Sequence, residues 1–180
     1  MPRIAPVDPA AADPTTRATL DAVRAKLGGV PNLVRTFAVA PAVLNGWLGF
    51  SGGLSKGTLG PRLGELLAIA ISEANGCTYC VNAHTAIGAG LKITPAQAAL
   101  ARAGRAEDAK DAAALAFALK VQATKGHVAD ADLAALRGAG FDDAAALEIV
   151  GHVAINTLNN FLNHVAQTEI DFPAAPARAA

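Results

Sequence analysis

Charge and aromatic residues are scarce in this chain. Only 17% of its 180 residues are Asp, Glu, Lys or Arg and 4% are aromatic, against 52% hydrophobic. That balance excludes a disordered chain. It is also more apolar than a small soluble monomer needs, so part of the apolar surface is expected between subunits. Neither sign of charge dominates: fifteen basic residues balance fifteen acidic ones. The absence of a basic stripe argues against a nucleic-acid partner. A neutral chain steers charged ligands poorly, which suits a small neutral or weakly charged substrate.

Long apolar runs are absent too. Glu, His, Asn or Gly interrupts each stretch before it reaches spanning length, so no membrane segment is expected. The N-terminal MPRIAPVDPAAADPTT lacks the apolar core of a secretory signal, and a cytoplasmic location is expected. Alternating β-branched residues are rare, which removes strands from the expectation. Cysteine occurs only at Cys77 and Cys80. A bond between them closes too small a loop to staple a fold, so the pair points to redox or metal chemistry.

What remains is an all-α pattern rich in Ala and Leu. Helices are expected from Asp13-Pro14 to Gly28-Gly29, from Pro31 to before Pro41, and from Ala42 to Phe50. A Gly-rich loop is expected over Ser51 to Gly60. Pro61 opens a strongly apolar helix that stops at Gly76, and the next begins near Cys77 and ends by Gly90. Further helices follow Thr94-Pro95, run from Glu107 to Thr124, cover Ala131 to Arg137, and extend from about Ala144 to Glu169. The reading is one helical domain over residues 13–171, with a flexible segment before it (1–12) and a flexible tail after it (172–180).

The chemistry concentrates at Cys77-Thr78-Tyr79-Cys80 and His84. On one regular helix Cys77, Cys80 and His84 share a face. The first turn offers unpaired N–H groups and the positive end of the dipole, which favour a thiolate. A neighbouring imidazole takes the thiol proton or pairs with the thiolate. Glu65 joins by geometry. Along an unbroken helix it would lie ~18 Å from Cys77. If the chain folds back at Asn75-Gly76, however, Glu65, ten residues before Asn75, sits level with His84, nine after it. A carboxylate beside an imidazole fixes its tautomer and raises its basicity, giving a Glu65–His84–Cys80 proton relay. Ala68 and Ser72 are small enough to let the two helices approach, and Ser72 is a candidate lining residue. Two other readings stand beside this one: a pair of inert buried cysteines, and a zinc site of Cys77, Cys80 and His84 with Glu65 or Glu73.

The segment Glu65-LLAIAISEANG-Cys77-TY-Cys80-VNA-His84 resembles the active-site motif of the alkylhydroperoxidase D and carboxymuconolactone decarboxylase-like family. The family pattern is a Glu twelve residues before a CxxC and a His four after its second Cys, and all four positions are filled. Gly151-HVAINTLNNFLNHVAQTEIDFP resembles the C-terminal helix of a peroxidase-related branch. The resemblance implies an all-α helical bundle with the CxxC on a helical hairpin, assembled as trimers or hexamers. It implies thiol-dependent reduction of organic hydroperoxides or hydrogen peroxide, with an external dithiol as reductant and no bound cofactor or metal. Under it Cys80 is the sulfur that becomes sulfenic acid, Cys77 resolves it to a disulfide, and His84 and Glu65 relay the proton. Members that work with a lipoylated partner have His before the second Cys, where this chain has Tyr79. Tyr79 either donates to a peroxide oxygen or packs. True carboxymuconolactone decarboxylases generally lack the dithiol. A lyase using His84 and Glu65 as acid and base is the alternative enzyme, and a non-enzymatic zinc protein the alternative outside enzymes.

The last helix carries His152, Asn156, Asn160 and Asn163 as a polar stripe, with His164 near it. The stripe is either a solvated face or a hydrogen-bonded lining of the site or an interface. His152 and Asn156 are its candidate site residues. His127 follows a Gly in a turn and is expected at the surface, and Trp47 and Phe50 are expected in the core or an interface.

Overall fold

The computed structural model describes residues 1–179. They form helices only: α1 (Pro14–Leu27), α2 (Asn32–Phe37), α3 (Pro41–Leu54), α4 (Gly60–Ala74), α5 (Thr78–Gly90), α6 (Pro95–Arg102), α7 (Ala109–Thr124), α8 (Asp130–Gly138) and α9 (Asp143–Ala166). Sequence chemistry sets most starts. Asp13 accepts from the Thr15 and Thr16 N–H groups, Asp108 from Lys110 and Asp111, and Thr94 with Gln97 forms a capping box. No helix among the described residues is long and apolar enough to cross a membrane.

The centre of the molecule is α4. Its residues from Leu66 to Ser72 are all buried, with Leu66, Leu67, Ile69 and Ile71 at 2% exposure or less, while Arg62, Glu65 and Glu73 pair with Asp111, His84 and Arg102. Helices α5, α6, α7 and α9 pack around it. Its main cluster includes Leu115 and Phe117 of α7 and Ile149 and Val153 of α9. A second cluster, holding Leu20, Val34, Phe37 and Leu44, joins α1, α2 and α3, and Phe37 stacks on Trp47 with ring centres 5.0 Å apart.

Two helix ends differ from expectation. Helix α3 runs through the glycine-rich segment to Leu54 rather than stopping at Phe50. Packing holds this segment helical despite its glycines: α3 lies on α9 so closely that a Cβ on Gly151 would stand 2.9 Å from a Leu54 methyl. The true loop is short and is fixed by Glu148 of α9, whose carboxylate accepts from the N–H groups of Thr58 and Leu59. Helix α9 ends at Ala166 rather than Glu169, because Gln167 turns left-handed at φ 49° and caps it.

Both terminal segments run back along the helices. The N–H of Arg3 donates to Ala166 O, and Val7 exchanges hydrogen bonds with Arg35. On the C-terminal side Phe172 meets Tyr79 edge-on, Ala175 N–H donates to Asn82 Oδ1, and Ala179 N–H donates to Ala99 O.

Because α4 is the common wall, Leu67→Ala is expected to destabilise the fold by about 2–5 kcal/mol. Asp13→Ala, which removes one cap, is expected to lose only about 1 kcal/mol. Urea unfolding followed by circular dichroism measures both.

Candidate active site

The α4–α5 hairpin turns at Gly76, whose φ of +69° is the left-handed conformation that glycine adopts without strain. The Cys77 N–H donates back to Ser72 O at 2.9 Å, tying the start of α5 to the end of α4. The fold-back sets Glu65 against His84, and the imidazole Nδ1–H donates to Glu65 Oε2 at 2.8 Å, each side chain 19% exposed. Burial pulls the His84 imidazole down, but the charge and hydrogen bond of Glu65 and the charge of Cys77 outweigh it and hold His84 above its ordinary value.

Cys77 caps α5 rather than lying inside it, and Cys80 sits in the first turn. Both are free thiols, each 1% exposed. The Cys80 thiol beside it is the main reason that Cys77 is held down to about 6, against the burial that pushes it up. The Cys80 backbone N–H, the charge of His164 and the Asn163 amide assist. Cys80 is pushed far up, first by that same contact with Cys77 and then by burial. The contact therefore favours charge on Cys77 and the proton on Cys80.

The asparagines of the α9 stripe are buried, not solvated, and His152 is half-buried. Asn163 Nδ2 donates to Cys80 Sγ at 3.2 Å and lies 3.9 Å from Cys77 Sγ. Asn160 is fully buried and donates to Ser72 Oγ at 3.1 Å. Asn160 in turn accepts from Asn75 Nδ2 at 2.7 Å, and Asn75 accepts from Gln122 of α7. Each bond matters, since a buried amide left unpaired costs about 1–3 kcal/mol. Asn159, which also faces inward at 6% exposure, was not singled out in the sequence. The i, i+3, i+4, i+7 run of Asn156, Asn159, Asn160 and Asn163 is the signal that finds it.

Glu65 and His84 open into a chamber of about 310 Å³. His152 and Asn156 line it, as does Asn159, and its apolar wall is Trp47, Leu54, Leu59 and Ile155. Burial pulls the His152 imidazole below its ordinary value, against the charges of Glu65 and Glu148. Neither sulfur lines this chamber, and His84 bonds Glu65 rather than a thiol. Cys77 instead borders two clefts elsewhere, one with Tyr79 and His164, the other with Asn82 and Ala175. Ser72 lies between α4 and α9 and does not line the chamber. Tyr79 does not line it either: its hydroxyl donates to Asp171 at 2.7 Å and accepts from the Leu33 N–H at 3.1 Å. His127 is exposed and Phe50 is 42% exposed, while Trp47 is a chamber wall. Among the described residues no group of three or more His, Cys, Asp and Glu side chains is placed to hold a metal ion.

Nine helices among the described residues, with a dithiol opening the helix after a central apolar one, define an all-helical dithiol protein of the alkylhydroperoxidase core type. The sequence pattern of the carboxymuconolactone decarboxylase family matches residues 41–123. The crystal structure of an alkylhydroperoxidase AhpD core, an uncharacterized peroxidase-related protein from Ralstonia eutropha JMP134, is 30% identical, with 94% of this chain and 92% of that one aligned at a TM-score of 0.86. The chain belongs to the alkylhydroperoxidase AhpD and carboxymuconolactone decarboxylase-like family. A peroxidase-related protein from Silicibacter sp. TM1040 shares the fold at 24% identity and a TM-score of 0.81, over 93% of this chain and 92% of that one. The debrominase Bmp8, in complex with 2,3,4-tribromopyrrole, shares it at 20% and 0.77, over 94% and 91%. No curated protein matches the chain.

Alkylation of the reduced protein by iodoacetamide is expected to accelerate as pH rises through about 6, where Cys77 ionises, and to level off above it. Asn163→Leu removes an amide that favours the thiolate, so the midpoint moves to higher pH. Glu65→Gln removes what holds His84 up, so an NMR titration finds the His84 midpoint lower than in the wild type.

Proposed function

We propose that this protein is a thiol-dependent peroxidase, reducing organic hydroperoxides or hydrogen peroxide with electrons from an external dithiol. The observation that carries the reading is the buried Cys77–Cys80 thiol pair, with the proton favoured on Cys80, one helical turn from the Glu65–His84 pair. Passing that proton from Cys80 to Cys77 leaves a thiolate on Cys80, the sulfur nearer the Asn163 amide. A local opening between the chamber and Cys80 admits the hydroperoxide. Cys80 attacks the terminal oxygen, the O–O bond breaks, and the departing alkoxide takes a proton from His84, whose charge Glu65 supports. Cys80 becomes a sulfenic acid. The Cys77 thiol displaces water from it to form the Cys77–Cys80 disulfide, and an external dithiol reduces that bond by exchange. The cycle suits a reducing compartment such as the cytoplasm.

A second reading has one observation in its favour: His84 and Glu65 open to the chamber and the sulfurs do not. It makes the protein a lyase with His84 and Glu65 as acid and base. The chamber weighs against a carboxylated lactone, because no Lys or Arg lines it to pair with a carboxylate. The likeness to the debrominase is one of fold alone, so its substrate is not carried over.

The exposed apolar side chains of α9 (Leu147 at 73%, Phe161 at 56% and Val165 at 62%) support assembly as a homo-oligomer, a trimer or hexamer.

One equivalent of cumene hydroperoxide is expected to remove two hydrogens from the reduced wild type by mass spectrometry. Cys77→Ser should stop at a sulfenic acid that dimedone traps on Cys80, and Cys80→Ser should form neither product. Thiols that survive a large excess of peroxide in the wild type would sink this reading, and lyase activity retained in the double Cys→Ser variant would establish the second.

A further inference from the structure

We propose that His152 is a further catalytic residue of this site, holding the terminal oxygen of a hydroperoxide in the chamber while His84 holds the inner one. The inference rests on the peroxidase reading and adds to it a residue from α9, outside the α4–α5 hairpin.

The argument begins with the lining. Its volume of about 310 Å³ lies at the small end of ligand sites. Trp47, Leu54, Leu59 and Ile155 offer apolar surface for a compact aryl or short alkyl group. The ionisable groups are Glu65, His84 and His152 only, and Glu65 is already paired with His84. An anionic ligand therefore finds no free cation, whereas a neutral one loses little on leaving water.

The two imidazoles are set up differently. His84 uses Nδ1 on Glu65, so its Nε2–H is available to donate. Among the described residues the His152 ring has no hydrogen-bond partner, and its nitrogens are not sealed off among the buried unpaired atoms. Its ring lies over the backbone of α4 where Gly64 leaves space: a Cβ there would stand 3.1 Å from His152 Cε1. Burial shifts His152 toward its neutral form and Glu65 shifts His84 toward its charged form, so His152 is the better acceptor and His84 the better donor. The facing groups are Glu65 of α4, His84 of α5 and Glu148 of α9 itself.

A hydroperoxide carries one donor and one acceptor oxygen that match this asymmetry. Its terminal O–H donates to the lone pair of neutral His152, and its inner oxygen accepts from His84 Nε2–H. When sulfur attacks the terminal oxygen, that oxygen keeps its hydrogen and becomes the S–OH of the sulfenic acid. The inner oxygen takes the O–O electron pair and the His84 proton, and leaves as the alcohol. His152 changes no bond; it holds the terminal oxygen in position.

Trp47 is the only tryptophan of the chain and it lines the chamber, so its fluorescence reports occupancy without any turnover. In a Cys77→Ser/Cys80→Ser protein, which cannot turn the peroxide over, titration with cumene hydroperoxide is expected to quench Trp47, while benzoate leaves it unchanged. His152→Leu added to that protein is expected to weaken cumene hydroperoxide binding by about tenfold, the loss of one buried hydrogen bond, and His152→Gln to restore most of it. Gly64→Ala, which crowds the ring without touching the imidazole chemistry, should weaken binding to a smaller degree. With the cysteines in place, the iodoacetamide profile of the thiols should be unchanged by all three substitutions. Equal affinity with and without His152→Leu, tight binding of benzoate, or no binding of the hydroperoxide at all overturns the assignment. Normal, His152-dependent binding in a protein whose thiols resist peroxide instead upholds the neutral-ligand site and overturns the peroxidase reading.

Discussion

Everything at this site depends on the close approach of α4 and α5 across the Gly76 turn. That single reversal is closed by the bond from Cys77 N–H to Ser72 O and made possible by a left-handed glycine. It sets a carboxylate of one helix against an imidazole of the next, beside the two thiols that open α5. The carboxylate–imidazole pair cannot form within one helix, because Glu65 and His84 lie nineteen residues apart. Helix α4 can serve as the inner wall because every residue from Leu66 to Ser72 is buried, so that α5, α6, α7 and α9 all bury surface against it.

The third wall of the site, α9, supplies polarity where the hairpin has none to spare. Its asparagines face inward and divide the work by position. Asn163 meets the sulfurs, and Asn160 ties Ser72 and Asn75 into a buried amide chain that reaches Gln122. Asn156 and Asn159, nearer the start of the helix, line the chamber. A buried dithiol with one negative charge needs such donors, because apolar surroundings alone would press both thiols toward the neutral form. The same helix leaves its opposite face apolar and exposed, so α9 has one side made for the site and one suited to another subunit.

The site has two separated parts. The acid–base pair opens to the chamber, and Cys77 borders clefts partly walled by the C-terminal tail. Under the proposed peroxidase cycle, those clefts offer an external dithiol a route to Cys77 separate from the chamber.

The sequence by itself determined the helical class, the dithiol at a helix start, and the pairing of Glu65 with His84, because these follow from composition, caps and counting about one turn. Only the tertiary structure decided the rest. Whether the Asn stripe of α9 met water or sulfur depended on which face α9 turned toward α4, and periodicity gives a face without naming its neighbour. The glycine-rich end of α3 is helical because Leu54 packs over Gly151, a contact between residues far apart in the chain that outweighs local propensity. Ser72 and Tyr79 carry polar groups suited to a site, yet each finds its partner elsewhere, in Asn160 and in Asp171 with Leu33. A hydrogen bond is made by whichever group the packing brings within reach, and that is a property of the assembled helices.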